Sequence, residues 1–204
     1  MNYAEYAPLA RRTLKELPFA EHLEHMALGF CGEMGELLGA AKKQKVYKND
    51  LDIVNVMEEI GDICWYVVNL CKEFNFDPAD MDAIYQESIV HFNRTNNQAT
   101  LTQKLMWANK YFADIGESLA LRPSELERDN DQAVQLLTQL TKLVTLLGVT
   151  YSIDIYQCLD ANIKKLAARY GDKYTDFAAL NRDLVAERAV LETAAISDTS
   201  LKIA

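Results

Sequence analysis

Apolar residues recur every three to four positions along most of the chain, which is the spacing of one face of an α-helix. The first clear stripe comprises Leu23, Met26, Ala27, Phe30, Met34, Leu37 and Leu38. It predicts a helix that ends near Lys43. A second stripe predicts a long helix over about 53–74 and comprises Val56, Ile60, Ile63, Val67 and Leu70. No segment shows the sustained alternation typical of a strand, so the pattern predicts an all-α fold.

The rest of the chain continues the helical pattern. Pro78 predicts the start of a third helix that extends to about His91, since proline suits the first helical turn. The polar stretch 93–100 is the predicted linker. Beyond it, apolar periodicity predicts helices over 101–121, 133–147 and 153–170, with a break at 122–124 and a helix end at Gly148. The residues after Glu192 are predicted to form a flexible tail.

Short matches between the two halves of the chain indicate an internal repeat. The segment FCGEMGELL in the first half corresponds to YFADIGESL in the second, and the tripeptide IYQ occurs once in each half. We therefore predict two tandem helical-bundle repeats, over 1–95 and 96–204, that pack as a pseudo-dimer in one compact unit.

Composition narrows the range of functions. The chain has 204 residues and a formal net charge of -9, so non-specific binding to a nucleic-acid polymer is not expected. Its amino terminus is polar, and its longest apolar run, 63–70, is far shorter than the ~20 residues of a membrane span. The four cysteines form no CxxC pair, which favours free thiols in a reducing compartment. We expect a cytoplasmic protein without a membrane partner, in the host cytoplasm if it is phage-encoded.

Two pairs of carboxylates lie among the apolar stripes. Glu33 and Glu36 are three residues apart, and Glu59 and Asp62 have the same spacing, so each pair lies on one helix face. Isolated pairs of this kind are usually solvated. Here apolar residues and glycines flank both pairs, so burial and mutual repulsion would raise the carboxyl pKa values unless a cation is bound. The adjacent Glu58 is a candidate fifth carboxylate.

The oxygen-only character of these ligands indicates which metal they suit. Carboxylates favour Mg²⁺ or Mn²⁺, whereas a di-iron bundle requires Glu-x-x-His motifs. None of the three histidines has a glutamate three residues before it. Because Mg²⁺ usually shares its coordination shell with water and substrate phosphates, we expect phosphate chemistry. A bound cation would also recruit a polyanion to an acidic protein.

Three segments resemble the MazG-like all-α nucleoside triphosphate pyrophosphohydrolases. GEMGELLGAAKK and VMEEIGDICWYVV match the family motif ExxE, spacer, ExxD, at Glu33-x-x-Glu36 and Glu59-x-x-Asp62. NIKKLAARYGDKYTDFAALNRDLVAER is similar to the carboxy-terminal tail of many single-domain members, often from phage or bacteria. The matches together span about 14–92 and 152–192.

The resemblance implies hydrolysis of a nucleoside triphosphate to the monophosphate and pyrophosphate. Mg²⁺ held by the four carboxylates would activate a water for attack at the α-phosphorus. Glu36, Glu59 or Glu58 would accept the proton. A second metal is compatible with this chemistry.

The chain departs from the family pattern because its carboxylate motifs and its tail motif lie in different halves. The first half has the carboxylates but ends in SIVHFNRTN, without the NIxKLxxRY tail pattern, which occurs in the second half. The second half keeps Asp114 and Glu117 as a possible remnant of ExxE but has no counterpart of ExxD. We therefore predict one composite site, with metal ligands from one half and tail residues from the other.

The tail residues have two interpretations. Asn162, Lys165 and Arg169 lie on one helix face and could bind phosphates, but cations near a helix carboxyl end also simply complement its dipole. The resemblance favours Asn162 and Lys165 as substrate ligands, with Arg169 and Tyr170 either contacting the nucleotide or anchoring the tail. Trp65 and Tyr66 could flank the base, although aromatic residues at this spacing more often pack in a core.

Two alternatives stay open at this stage. The same chemistry could be narrowed to a dUTPase of the all-α type. A different class is a non-catalytic nucleotide-binding helical module, such as a sensor or assembly partner, because carboxylates have already been lost from one half. Neither the preferred base and sugar nor the oligomeric state, a monomeric pseudo-dimer or a homodimer, follows from the sequence.

Overall fold

The polypeptide is helical along almost its whole length. A computed structural model describes residues 1–95 and 98–199, with the backbone alone at 128 and 196–199. Within these ranges the chain forms ten helices and no strand, which confirms the predicted all-α class. The helices are α1 (Tyr3–Arg11), α2 (Phe19–Tyr47), α3 (Ile53–Leu70), α4 (Pro78–Thr95), α5 (Leu101–Leu121), α6 (Pro123–Arg128), α7 (Asn130–Tyr151), α8 (Ile155–Tyr170), α9 (Asp176–Leu180) and α10 (Leu184–Thr199).

Helix ends follow local capping chemistry. Asn2 and Thr100 begin α1 and α5 with capping boxes, in which the cap side chain and the third helical residue satisfy each other's backbone N–H groups. The Asp52 side chain accepts a hydrogen bond from the Asn55 N–H and begins α3. The amino-terminal helix α1 had no clear signal in the apolar pattern, because only four of its nine residues are buried.

Several predicted boundaries were wrong. The first predicted helix continues past 43 to Tyr47, the second ends at Leu70 rather than at 74, and the third continues past 91 to Thr95. Gly148 does not end a helix, since α7 continues to Tyr151 and ends at Ser152, which has a left-handed φ of 57°. A Cβ on Gly148 would lie 2.8 Å from the Ile155 side chain, so the glycine permits close packing between α7 and α8. The residues after Glu192 are also helical as far as Thr199, because α10 is anchored by the buried Leu191, and residues 200–204 lie outside the described ranges. Of the predicted linker 93–100, residues 93–95 are instead the last residues of α4, and residues 96 and 97 lie outside the described ranges.

The helices on both sides of residues 96–97 share one hydrophobic core. α2 packs against α3 and α5, α3 packs against α7 and α8, and α4 packs against α7. The ring centroids of Phe30 on α2 and Phe112 on α5 are 5.6 Å apart at the centre of this packing. As a result, α3 of the first half lies directly beside α8 of the second, which brings their polar residues together.

Helix α7 combines length with apolar composition. Among the described residues it is the one helix long and apolar enough to cross a membrane, with a mean hydropathy of 1.3 in its most apolar window. Of that window, 56% is buried against other helices, as in the central helix of many helical bundles.

Candidate metal centre

Three carboxylates converge between α2 and α3. Glu33 projects from α2, and Glu59 and Asp62 project from neighbouring turns of α3, with one carboxylate oxygen from each lying within 4.8 Å of the others. We call these residues the acidic triad. Glu59 is buried, with 5% of its surface exposed, and the other two are half-buried. Three of the four carboxylates predicted from sequence spacing therefore lie together.

Burial makes the negative charges of the triad unfavourable. Burial raises the pKa of Glu33, and repulsion from Asp62 raises it further. Burial also raises the pKa of Glu59, and so does its hydrogen bond to Glu33. Without a bound cation, the pair of Glu33 and Glu59 therefore keeps a proton at pH values where exposed glutamates have lost theirs. A group of oxygen ligands in this state fits Mg²⁺ or Mn²⁺, which would neutralise the charges that burial penalises.

Glu36 and Glu58 lie beside the triad rather than within it. Glu36 is exposed one turn further along α2 and is not within the 4.8 Å set, although its charge contributes to the raised pKa of both Glu33 and Glu59. Glu58 accepts a hydrogen bond from the Lys165 Nζ at 3.2 Å. The structure thus places three of the four predicted metal ligands together and leaves Glu36 at the edge of the site.

Asn162 and Lys165 reach the triad from α8. The Asn162 Nδ2 donates to the Asp62 Oδ1 at 2.6 Å, and the Lys165 ammonium forms an ion pair with the other oxygen of Asp62 and with Glu58. Burial lowers the pKa of Lys165, but Asp62 and Glu58 more than offset this effect and hold it above its usual value. Residues from both halves of the chain therefore meet at Asp62, and two side chains of α8 contact its two carboxylate oxygens.

Close packing of α3 on α8 creates these contacts. A Cβ on Gly61 would lie 3.0 Å from the Cys158 carbonyl oxygen and 3.1 Å from the Asn162 Cβ, so glycine is required for the two helices to approach this closely. The buried Tyr6 hydroxyl on α1 donates to the Asn162 Oδ1 at 2.6 Å. Because this contact uses the amide oxygen, the amide nitrogen faces Asp62. Tyr6 was not identified from the sequence, since no motif links α1 to α8.

A cleft extends from the triad between α3, α8 and the carboxy-terminal segment. It has a volume of about 230 Å³, and Glu33 and Asp62 line part of it. Its other walls combine aromatic and cationic side chains, namely Lys15, His25, Trp65, Tyr66, Arg169, Tyr170, Tyr174 and Arg182. Trp65 is held in place by hydrogen bonds from its Nε1 to the Thr13 hydroxyl at 2.9 Å and to the Ala10 carbonyl at 3.2 Å.

Arg169 is fixed by a carboxylate that the sequence analysis missed. Its guanidinium donates to both oxygens of Glu187, at 2.8 and 2.6 Å, and Arg182 donates to one of them at 2.8 Å. Burial raises the pKa of Glu187, but the two arginines overcome this and lower it to about 2. Because two arginines share one carboxylate, the three side chains together keep a net positive charge beside the cleft. Eighteen residues separate Arg169 from Glu187, which is too far for a helical spacing to reveal the pair.

Comparisons with protein-family models, with curated proteins and with solved structures find no match for this chain. The MazG-like resemblance therefore stays a prediction from the motifs, and the geometry described above is what any functional assignment must explain.

Proposed function

We propose that this chain is a Mg²⁺-dependent nucleoside triphosphate pyrophosphohydrolase of the MazG-like type, acting in control of the nucleotide pool. The observation that carries the proposal is that Glu33 and Asp62 of the acidic triad line a cleft whose other walls carry aromatic and cationic side chains. Clustered carboxylates suit a metal-bound triphosphate, whereas aromatic faces suit a nucleobase. Mn²⁺ is compatible with the same ligands.

The proposed roles follow from the surroundings of each residue. Glu33, Glu59 and Asp62 hold the metal, which when bound would neutralise phosphate charge and lower the pKa of a water. Glu36 is our candidate for the general base. It is exposed, close to the triad and has no ion-pair partner among the described residues, whereas Glu58 is paired with Lys165. Attack at the α-phosphorus would release pyrophosphate, and the proton of the water would pass to Glu36.

The roles proposed for the second half differ by residue. Asn162 and Lys165 hold Asp62 in place and set the local charge, and so act mainly as positioning residues. Arg169 and Arg182, at the cleft wall, are better placed to attract phosphates, with Tyr170 beside Arg169 as an aromatic neighbour whose ring centroid is 5.6 Å from the guanidinium carbon. Trp65 and Tyr66, on the opposite helix, offer aromatic faces to the base.

The tandem-repeat organisation is part of the same proposal. The rings of Tyr85 on α4 and Tyr156 on α8 lie 4.9 Å apart, and each hydroxyl donates a 2.9 Å hydrogen bond across the contact. Tyr85 donates to Asp154 before α8, and Tyr156 donates to Asp82 on α4. This reciprocity between the two IYQ segments is what an internal pseudo-dimer requires. The first repeat would supply the metal ligands and the second the residues of α8.

One observation favours a second candidate function, a non-catalytic nucleotide-binding module. Lys165 already forms ion pairs with Asp62 and Glu58, offsetting part of their negative charge, and its side chain is fully buried. A site with its own internal cation needs less help from a metal. Such a module would bind nucleotides without turning them over.

Product analysis separates the two candidates. The full chain is incubated with a panel of ribonucleoside and deoxynucleoside triphosphates, including dUTP, with Mg²⁺ or with a chelator. We expect monophosphate and pyrophosphate only with the metal, and loss of turnover by about 10²–10⁴ for Glu36→Gln. Glu24→Gln, on an exposed position of the same helix, is the matched control. Release of inorganic phosphate alone, or full turnover by Glu36→Gln, would contradict the proposed chemistry, and binding without turnover would favour the module.

A further inference from the structure

A second cavity lies between α4, α5 and α7, and none of its lining residues belongs to the acidic triad. Its volume is about 440 Å³, which lies within the range of small-molecule sites in proteins. We propose that this cavity binds the purine or pyrimidine ring of a nucleoside or nucleoside monophosphate, without a metal ion.

An aromatic wall on α5 is the first observation in support. The rings of Trp107 and Tyr111 lie 4.5 Å apart at an interplanar angle of 56°, and both residues line the cavity. Trp107 and Tyr111 are 47% and 38% exposed, whereas large aromatic residues are on average more deeply buried. A planar heterocycle would cover these faces, and stacking of a base on an aromatic side chain is favourable for any base.

An unpartnered hydroxyl is the second, independent observation. Ser88 on α4 lines the same cavity and is only 5% exposed, yet among the described residues its hydroxyl has no hydrogen-bond partner. Its oxygen is not among the buried atoms without a partner and still reaches the space of the cavity, so the hydroxyl is available to a bound molecule. A ring nitrogen or an exocyclic oxygen of a base would satisfy it, whereas a purely aliphatic ligand would not.

The charges around the cavity argue against a metal. Glu87 is the one carboxylate among the lining residues that the structure describes, and Lys142 on α7 faces the same space. A single carboxylate beside a lysine cannot replace the three clustered carboxylates of the acidic triad. Lys142 can instead pair with one phosphate group, so a monophosphate suits the site better than a metal-bound triphosphate.

The position of the cavity in the fold is informative as well. It lies between α4, α5 and α7, whereas the acidic triad lies between α8, α2 and α3. Under the tandem repeat proposed above, these two sets of helices correspond, although Asp114 and Glu117, the counterparts of Glu33 and Glu36, do not line the second cavity. The aromatic wall and Ser88 support the proposal whether or not the repeat is correct.

The two tryptophans of the chain make a direct test possible, since Trp107 lines this cavity and Trp65 lines the cleft beside the triad. The full chain is labelled with fluorotryptophan, and the two fluorine resonances are assigned with Trp107→Phe and Trp65→Phe. Adenosine, thymidine and their monophosphates are then titrated with a metal chelator present. We expect saturable movement of the Trp107 resonance while the Trp65 resonance stays in place.

Variants identify the contacts. Ser88→Ala should weaken binding about five-fold, the usual effect of one hydrogen bond, and the exposed Ser124→Ala should not. Lys142→Gln tests whether Lys142 contacts the phosphate group. Weaker binding of the monophosphates alone would show that contact, and unchanged binding of all four compounds would show that the ring carries the affinity. A Trp107 resonance that none of the four compounds moves at about 10 mM would overturn the proposal. So would binding that Ser88→Ala leaves unchanged. Because the chelator removes metal-dependent turnover, these results are independent of the hydrolysis proposed above.

Discussion

The Asn162 amide nitrogen donates a 2.6 Å hydrogen bond to the Asp62 carboxylate, joining residues that are 100 positions apart in the sequence. The amide is itself oriented by the Tyr6 hydroxyl, which donates to the Asn162 oxygen at 2.6 Å. Three helices, α1, α3 and α8, thus determine where one carboxylate of the triad points. The geometry of the candidate metal site is therefore a product of the whole fold rather than of the motif alone.

Removing this amide should weaken metal binding more than it weakens the fold. Partners that orient metal ligands typically contribute 10–100-fold to metal affinity, so we expect a loss of about that size in Asn162→Ala. The unpaired Tyr6 hydroxyl should cost about 1–3 kcal/mol of stability. Isothermal titration with Mg²⁺ and urea unfolding measure the two effects. The exposed Asn49→Ala is the control, and unchanged Mg²⁺ affinity in Asn162→Ala would contradict the positioning role.

Loss of the buried ammonium should have a large effect on stability. Lys165→Met leaves Asp62 and Glu58 without their cation, and removing one partner of a buried ion pair typically costs about 3–5 kcal/mol. The neighbouring Lys164→Met changes the same residue type at an exposed position and should change stability by less than about 0.5 kcal/mol. Urea unfolding without metal compares the two variants. Equal stabilities would show that the Lys165 ion pair does not hold α8 against α3.

The stability of the metal-free protein should depend on pH through Glu59. Its folded-state pKa is raised, so its contribution is fully present below the unfolded value near 4.5 and is lost as pH rises through the folded value. Each unit of this shift corresponds to about 1.4 kcal/mol. In Glu59→Gln there is no proton to lose, so the variant should be more stable than the wild type at alkaline pH. Thermal unfolding across pH checks this, and parallel pH profiles would contradict it.

Metal binding should release protons. Because the pKa values of Glu33 and Glu59 are raised, a cation has to displace proton from these carboxyls, and its apparent affinity should increase with pH. Calorimetric titration of Mg²⁺ in buffers of different ionisation enthalpy measures the number of protons released. Glu59→Gln should release fewer protons than the wild type. Release that is zero at neutral pH would mean that the triad is already fully ionised.

The sequence predicted much of the fold because apolar periodicity is a local signal. The helix over 101–121 agrees with α5 at both ends, and the predicted third helix begins at Pro78 as α4 does. The errors arose where tertiary contacts decide the outcome. Gly148 has the composition of a helix end, but its role is close packing against Ile155. The residues after Glu192 lack a strong stripe, and packing on the rest of the bundle determines that they are helical to Thr199.

The residues of the candidate site also fall into those that local spacing predicts and those that tertiary packing brings together. Spacing within a helix predicts that Glu59 and Asp62 share one face of α3, whereas their meeting with Glu33 depends on how α2 packs against α3. The same spacing predicted Glu36 as a metal ligand, but its position on the helix leaves it exposed. The ion pair of Lys165 with Asp62, and the contact of Arg169 with Glu187, depend on how α8 and α10 cross the first half. Such contacts between distant segments have no signature in a single sequence.

The fate of the attacking oxygen tests the proposed reaction most directly. A nucleoside triphosphate that the full chain turns over is hydrolysed in water labelled with heavy oxygen, and both products are examined by mass spectrometry. Attack at the α-phosphorus predicts that the label enters the monophosphate and is absent from pyrophosphate. Label in pyrophosphate, or in free inorganic phosphate, would show attack at another phosphorus and contradict the account.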